Sequence, residues 1–276
     1  MPPADTPRSI FGPVELLGER ALAVVAHLGY ITLLVLEMGR WVAKSVTNRK
    51  VRLGRAAIVA QVVRVGVRSI FIISLVSACV GLILVLQMAP PLDEFGRKDL
   101  VANIVGVAVL RELGPLIAAI VLTGFAGAAI AAEIGTMVVG EEIEALEAHA
   151  LNPVRFLVIP RVVASVVSMT AIAVIADAVS IAAGLGVATL ALDISRQTYV
   201  SNLLDQVKLV DFLTGVGKAT VFGMLIGLIA CGNGLKVSGG AAGVGKATTD
   251  TVVQSVVAII IADLIFTAIF YAWRLV

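Results

Sequence analysis

Residues 69–92 read SIFIISLVSACVGLILVLQMAPPL, and no charged side chain interrupts them. A helix that crosses a membrane needs about 20 mainly apolar residues. This stretch therefore predicts a membrane-spanning helix. Four later segments have the same character, and they are Leu100–Ala132, Val162–Leu192, Ala219–Leu235 (which can extend back to about Phe212) and Thr251–Trp273.

The composition of the whole chain agrees with this prediction. Of the 276 residues, 59% are hydrophobic and only 14% are charged, and the mean hydropathy is +1.03. Soluble domains contain about 45–50% apolar and about 25% charged residues. Because so much apolar surface must face lipid, the sequence predicts an all-α, polytopic membrane protein with five spans and excludes an ordinary soluble fold.

The basic residues predict the orientation. Eight Lys or Arg side chains and no acid lie between Arg40 and Arg68, and basic segments beside a span favour the cytoplasmic side. We therefore expect a cytoplasmic N-terminus, and five spans then place the C-terminus on the opposite side. Nucleic-acid binding is disfavoured, because the run adjoins a span and contains a single aromatic residue, Trp41.

The segment before the first span is ambiguous. Ala21–Leu36 is uncharged but short of a full span, so it fits a helix lying in the membrane interface or a sixth span. Leu53–Arg68 has the pattern of an amphipathic cytoplasmic lead-in. We predict a cytoplasmic and interfacial region over residues 1–68 and a membrane domain over residues 69–276.

One cytoplasmic loop carries a second pattern. Residues 140–151 predict a short helix that places Ile143, Leu146 and Ala150 on one face, and Asn152-Pro153 should end it. Acidic side chains surround that face, and they are Glu141, Glu142, Glu144 and Glu147. The residues alone leave two interpretations open: a coupling helix that seats in a cytoplasmic motor protein, or a solvated acidic helix.

Charged side chains within the spans are candidate functional residues. Arg111 and Glu112 precede Gly114-Pro115, where we expect the helix to kink or break. Arg111 is a candidate to attract a lipid phosphate and Glu112 to orient it, with Leu86 and Gln87 lining the same pocket. The alternative is that Arg111 and Glu112 pair with other helices and fix their packing.

Two further intramembrane polar residues are Asp177 and Asp263. Each carboxyl group is expected to form a hydrogen bond with a neighbouring helix, and proton coupling is the alternative role. Small residues recur every fourth position in several spans, which favours closely packed helices. The chain contains two His and two Cys without the spacing of a metal site.

Gly240–Lys246 matches the G-x-x-x-x-G-K pattern of phosphate-binding loops. Ala247 lacks the hydroxyl group that would bind magnesium, and no soluble βαβ unit surrounds the motif. We therefore predict a flexible glycine loop before the last span, with Thr248, Thr249 or Asp250 as its helix cap.

Several motifs in order resemble the MlaE/YrbE permease family. They are Arg111-Glu112-Leu113-Gly114-Pro115, Gly124-Phe125-Ala126-Gly127, Ala132-Glu133-Ile134-Gly135-Thr136-Met137, Glu142–Glu147, Asn152-Pro153, Pro160-Arg161, Ala242–Thr249 and Ala262-Asp263. The resemblance runs from about residue 60 to the end of the chain. Phe125 departs from it, because the family often has arginine at that position.

The resemblance implies a permease subunit of an ABC-type phospholipid transporter that links the inner membrane with the outer envelope. It implies an N-terminal interfacial helix, five spans, a homodimer or a pair of similar permease subunits, and an MCE-domain lipid-binding partner. ATP hydrolysis would occur in a separate ATP-binding-cassette subunit, so the chain itself would be no enzyme and would need no cofactor. The residues expected to couple to that ATPase are Glu133, Glu141, Glu142, Ile143, Glu144, Leu146, Glu147, Pro153 and Arg155.

Two other classes of function compete with this expectation. A proton-coupled secondary transporter would use Glu112, Asp177 and Asp263 as relays, and such proteins often contain an inverted repeat, of which the sequence shows no convincing sign. An intramembrane enzyme would need a nucleophile beside a base or a metal, and the two His residues supply neither.

Overall fold

The computed structural model describes residues 12–47 and 54–273, and every regular element in these ranges is a helix. The helices are α1 (Gly12–Thr47), α2 (Arg55–Glu94), α3 (Lys98–Val139), α4 (Glu142–Ala148), α5 (Val154–Ala191), α6 (Arg196–Gln206), α7 (Leu209–Leu235) and α8 (Gly240–Ala272). Helices α2, α3, α5, α7 and α8 are long and apolar enough to cross a membrane. The predicted all-α fold with five spans is confirmed.

The spans are longer than the sequence predicted. They contain between 27 and 42 residues, whereas about 20 suffice to cross the hydrocarbon core. Lipid cannot form hydrogen bonds with the backbone, whereas a helix satisfies these bonds internally. The helical backbone continues past the apolar stretch into the polar ends of each span. The two ends of the bundle are therefore built from helical turns as well as loops.

Helix α5 lies at the centre of the bundle and packs against both α2 and α7. Ser180 of α5 donates a hydrogen bond of 2.8 Å to the backbone carbonyl of Ser77 in α2. The predicted small-residue face of α7 is buried inside the chain, and its members are Gly215, Ala219, Gly223, Gly227 and Cys231. A side chain at Gly223 would meet the backbone of Ser165 in α5. This face serves packing within the chain.

Gly81 marks the closest approach of α2 and α5, because a Cβ atom there would collide with the Ser180 backbone. Backbone cannot move aside as a flexible side chain can, so Gly81→Ala should lower the free energy of unfolding by about 1–3 kcal/mol. Gly186→Ala is the matched control in α5, because open space surrounds that position. It should stabilise the helix by about 0.5–1 kcal/mol. Thermal unfolding in detergent measures both, and equal melting temperatures would contradict the prediction.

The sequence predicts a kink or a break at Pro115, and α3 is not broken there. The helix widens into a π-helical turn at Val109–Leu113 and then continues as an α-helix from Gly114. Proline has no N–H group, and its ring clashes with the carbonyl group one turn earlier. The wider turn accommodates both effects without ending the helix. A second π-helical turn follows at Thr123–Gly127.

Helix α1 extends beyond the predicted Ala21–Leu36 and is not among the helices that could cross a membrane by length and composition. Its described side chains contact the end of the bundle where α5 begins and α7 ends. The Lys236 ammonium lies 3.7 Å from the centre of the Tyr30 ring, and the Asn152 side chain donates a 2.9 Å hydrogen bond to Glu37. Its interfacial placement stays a prediction. Arg49, Lys50 and Arg52 of the basic run lie outside the described residues.

Asn152-Pro153 does not end the loop helix. Helix α4 ends at Ala148, and Ala150 takes a left-handed backbone conformation while the Leu151 amide bonds to the Leu146 carbonyl. Asn152 instead caps the start of α5, because its side-chain oxygen accepts a 3.0 Å hydrogen bond from the Arg155 amide. Proline suits the first turn that follows such a cap.

The glycine motif was also interpreted wrongly as a loop. Helix α8 begins at Gly240, so residues 240–246 form its first turns. Gly239 and Gly240 have positive φ angles of 85° and 69°, which glycine adopts without strain. Thr248, Thr249 and Asp250 are consequently helical residues and not caps.

Helix α6 is the element that hydropathy did not find. It lies in the predicted outer loop and has a polar sequence, RQTYVSNLLDQ, capped by the Ser195 hydroxyl, which accepts a 3.1 Å hydrogen bond from the Thr198 amide. Tyr199 anchors it, because its side chain is buried among α2, α3 and α5 residues. The helix covers one end of these spans.

Candidate functional site

An open groove of about 560 Å³ runs along one face of α3. Its lining residues recur every three or four positions, and they are Leu100, Asn103, Ile104, Val107, Ala108, Arg111 and Glu112, with Gln206 of α6 opposite. From Leu100 to Arg111 the helix rises about 17 Å at 1.5 Å per residue. The groove is therefore mainly apolar along its length and has a charged end within the membrane-spanning part of α3.

Arg111 at the charged end is held by Asp211 of α7. Its Nε and Nη2 atoms lie 2.7 and 2.6 Å from Asp211 Oδ1. Asp211 is almost completely buried, and its other oxygen accepts a 2.8 Å hydrogen bond from the Lys208 amide. Nη1 of Arg111 forms no hydrogen bond to another described residue. The guanidinium group is thus positioned by one pair and retains donors toward the groove.

Glu112 belongs to a second cluster, which joins α3, α7 and α8. Lys218 lies 2.6 Å from Glu112 and 2.9 Å from Asp263, and only 1% of its side chain is exposed. Thr267 accepts a hydrogen bond from Lys218 and donates one to Glu112, each of 2.9 Å. We call Glu112, Lys218, Asp263 and Thr267 the α3–α7–α8 cluster. One cation faces two carboxylates there, so the pairing predicted as the alternative role of Glu112 is present.

The structure does not bring the remaining predicted membrane residues into the groove. Leu86 and Gln87 are exposed on α2 and do not line it. Asp177 is buried in α5 beside Gly114, where its Oδ1 atom has no hydrogen-bond partner among the described residues. Asp263 forms an ion pair with Lys218 of the neighbouring helix α7 at 2.9 Å, in place of the simple hydrogen bond that the sequence predicted.

The acidic loop forms α4, a helix of seven residues. Ile143 and Leu146 are half-buried on one face, as the pattern predicted. Ala150 lies beyond the helix and is exposed, as are Glu141, Glu142, Glu144 and Glu147. The helix therefore presents a small apolar face within an acidic surface at the end of the bundle where α5 begins.

Glu133 lies inside α3 and not in the loop. Its two carboxylate oxygens pair with Arg64 of α2 at 2.7 Å and with Arg161 of α5 at 3.0 Å. Arg161 is buried and also donates a 2.9 Å hydrogen bond to the Leu157 carbonyl. These pairs connect α2, α3 and α5 directly. A contact of Glu133 with an ATPase stays a prediction.

Pro153 and Arg155 stand at the start of α5. Pro153 is half-buried, and the Arg155 guanidinium lies 5.4 Å from the centre of the Trp41 ring in α1. Through this contact the start of α5 is connected to α1. An ATPase contact of either residue stays a prediction.

The comparison with protein families decides which family this arrangement represents. The model of the permease MlaE family matches residues 58–269, which include nearly all of the five spans and all of α4. The chain belongs to the MlaE permease family.

Individual relatives of this MlaE permease agree. A probable ABC transporter permease of Rickettsia prowazekii is 34% identical over 214 residues, which cover 78% of this chain and 83% of the relative. One of Synechocystis is 32% identical over 77% of this chain and 81% of its own length. The chloroplastic protein TRIGALACTOSYLDIACYLGLYCEROL 1 of Arabidopsis thaliana is 32% identical over 76% of this chain and 60% of its own length. The MlaE permease is therefore a multi-pass membrane transport subunit rather than an enzyme.

Sequence reasoning missed the partners of the charged residues in this MlaE permease. Asp211, Lys218 and Arg161 stand at the edges of apolar segments, where a charge normally marks the end of a span. The sequence did indicate that such partners must exist, because Arg111, Glu112 and Glu133 are charged residues within or beside an apolar segment. Buried charges need partners of opposite sign. Choosing the partner requires knowing which helices are neighbours.

Proposed function

We propose that the chain is the permease subunit of an ATP-driven phospholipid transporter in the cell inner membrane, and that the groove on α3 binds the lipid. The observation that carries this proposal is an apolar wall about 17 Å long that ends at the guanidinium group of Arg111. A phospholipid has the same arrangement, because its hydrocarbon chains join a phosphate. The name of the Arabidopsis relative, TRIGALACTOSYLDIACYLGLYCEROL 1, includes a galactolipid, which supports lipid as the class of cargo.

The chemistry of the groove suits a phosphate at its charged end. Arginine forms short, directed hydrogen bonds with phosphate oxygens, and Asp211 holds Arg111 in one orientation. Glu112 lies beside it, but the cation of Lys218 offsets the repulsion between Glu112 and a phosphate. The apolar side chains Ile104 and Val107 would accommodate hydrocarbon. Leu86 and Gln87 would join the site only where a second subunit faces this groove.

The proposed energy source is a separate ATP-binding-cassette subunit that binds α4. The relatives named as ABC transporter permeases support such a partner. A short helix with an apolar face fits the helix-in-groove mode of recognition, with Leu146 and Ile143 inserted and the glutamates at the rim. Glu133 would then transmit movement of α4 to α2 and α5 through Arg64 and Arg161.

The remaining parts of the assembly follow from the family and from charge. We propose a homodimer, an MCE-domain partner beyond the membrane, a cytoplasmic N-terminus and a C-terminus on the opposite side. The described basic residues Arg40, Lys44, Arg55, Arg64 and Arg68 support this orientation by the positive-inside rule. Helix α6 and the outer ends of α2 and α3 would then face the MCE-domain protein.

The double substitution Arg111→Gln and Asp211→Asn tests the lipid site. Glutamine and asparagine preserve a hydrogen bond between α3 and α7 but remove both charges, so the fold should persist. Because hydrogen bonds to charged groups contribute about 1.5–3 kcal/mol, we expect phospholipid per purified permease to fall at least about tenfold. Mass spectrometry of extracted lipid measures this.

The matched control is Arg97→Gln with Asp99→Asn, an exposed pair 3.5 Å apart where α3 begins. It removes the same charges at the start of α3, outside the lining of the groove, and it should leave lipid content unchanged. Equal lipid content in the wild type and in both double variants would remove Arg111 from the lipid site.

The α3–α7–α8 cluster supports a second candidate function, a proton-coupled secondary transporter. Glu112 and Asp263 share a single cation within the membrane, and membrane carboxylates of this kind serve as proton relays in pumps. That function would need no ATPase. Transport by the purified chain alone under a proton gradient distinguishes the two candidates.

A further inference from the structure

A second groove, of about 380 Å³, lies between α1 and the start of α5. It is remote from the groove on α3, at the end of the bundle where α4 projects. Its lining residues on α1 fall on one helical face, and they are Leu33, Leu36, Glu37, Arg40, Trp41 and Lys44, with Asn152 from the loop before α5. From Leu33 to Lys44 the face extends about 17 Å.

The two ends of this α1 groove differ in chemistry. Leu33 and Leu36 are both more than half exposed and form the apolar end. Arg40 and Lys44 are exposed at the other end and have no ion-pair partner among residues 12–47 and 54–273. A groove of this kind has one end suited to hydrocarbon and one suited to an anion.

Trp41 lies between the two basic residues of the groove, Arg40 and Lys44. The Lys44 ammonium lies 4.9 Å and the Arg155 guanidinium 5.4 Å from the centre of its ring. Tryptophan prefers the headgroup level of a membrane, and basic residues on an interfacial helix are attracted to anionic lipid. The ring therefore places the basic side chains at the depth of phosphate groups.

One acid lies in the groove. Glu37 accepts the hydrogen bond from Asn152, which fixes α1 to the bundle. With Arg40 and Lys44 in the same lining, two positive charges still face one negative charge. The excess charge favours an anionic headgroup over a zwitterionic one, because a zwitterion brings no net charge to the basic end.

We propose that the α1 groove binds an anionic phospholipid from the leaflet next to α4, with its phosphate at Arg40 and Lys44 and its acyl chain along Leu33 and Leu36. This site would hold α1 in the interface and is separate from the transport groove. It rests on the interfacial placement of α1 and needs neither Arg111 nor an ATPase. Its failure would therefore leave the proposed transport function untouched.

Trp41 provides the test, because the chain has only two tryptophans and Trp273 lies at the far end of α8. The full chain with Trp273→Phe is reconstituted into phosphatidylcholine nanodiscs that contain phosphatidylglycerol brominated near the glycerol backbone. Brominated phosphatidylglycerol should quench Trp41 fluorescence at much lower mole fraction than brominated phosphatidylcholine. In Arg40→Gln with Lys44→Gln, the preference for phosphatidylglycerol should fall about tenfold, because each basic residue near an anionic lipid contributes separately.

The control is Arg55→Gln with Arg68→Gln, which removes two exposed basic side chains from the same side of the protein but outside the groove. It should retain the preference for phosphatidylglycerol. Equal quenching by the two lipids in the wild type would overturn the proposal, and so would equal losses in the two double variants. A third result would also overturn the proposal. If the wild type shows no lipid preference and Arg40→Gln with Lys44→Gln loses ATPase binding, the basic groove belongs to a protein partner.

Discussion

Replacing Lys218 with methionine should lower the free energy of unfolding by about 3–5 kcal/mol, the range observed when one member of a buried ion pair is removed. Methionine has a similar shape but no charge, so Glu112 and Asp263 would face each other without their shared cation. Two carboxylates in this position repel each other and lack solvation. Helix α8 should loosen from α3 and α7 first, because it is the least buried span.

Thermal unfolding in detergent measures the effect of Lys218→Met, and Lys98→Met is the matched control. Lys98 forms a partly exposed pair with Asp93 at 3.6 Å, and pairs of this kind contribute about 0–1 kcal/mol. Adding Glu112→Gln and Asp263→Asn to Lys218→Met should restore most of the stability, because the uncompensated charges are then gone. A wild-type melting temperature for Lys218→Met would show that the cluster does not hold α8.

The substitution Leu146→Asp in α4 should abolish assembly with the ATP-binding-cassette subunit and leave membrane insertion intact. Leu146 lies on the apolar face of α4, and an aspartate there would bring an unpaired charge into an apolar groove of the partner. Such burial costs several kcal/mol, and each 1.4 kcal/mol reduces affinity about tenfold. We therefore expect affinity to fall at least about a hundredfold, measured by co-purification and by titration of the purified subunits.

Ala145→Asp is the control for this prediction. It adds the same charge to the same helix, but Ala145 is exposed and lies away from Ile143 and Leu146 at 100° per residue. Assembly should persist in that variant. Unchanged affinity in Leu146→Asp, with a normal melting temperature, would mean that α4 is a solvated loop helix.

The sequence predicted the spans well because lipid imposes a simple rule on them. Residues 69–92 had to be a helix, and the structure continues that helix to Glu94. The ends were less accurate, because α5 begins at Val154, eight residues before the apolar segment at Val162, and α8 begins at Gly240. Polar or small residues at the ends of a helix add little to hydropathy, although they complete its hydrogen bonds.

The candidate site was only half predictable. Arg111 and Glu112 were visible as charges within a span, but their partners are more than 90 positions away in sequence. Lys218 stands immediately before the uncharged segment Ala219–Leu235, and nothing in that pattern indicates that it is one of the most deeply buried side chains. A single sequence does not show that α3, α7 and α8 are neighbours, which is the fact that forms the cluster.

The most direct test of an ATP-driven lipid permease is transfer of a fluorescent phospholipid from vesicles that contain the purified permease and its cassette ATPase. The account predicts transfer that requires ATP, stops in Leu146→Asp, continues in Ala145→Asp and is weakened in Arg111→Gln with Asp211→Asn. Transfer at the full rate by the permease alone, driven by a proton gradient and indifferent to ATP, would contradict it.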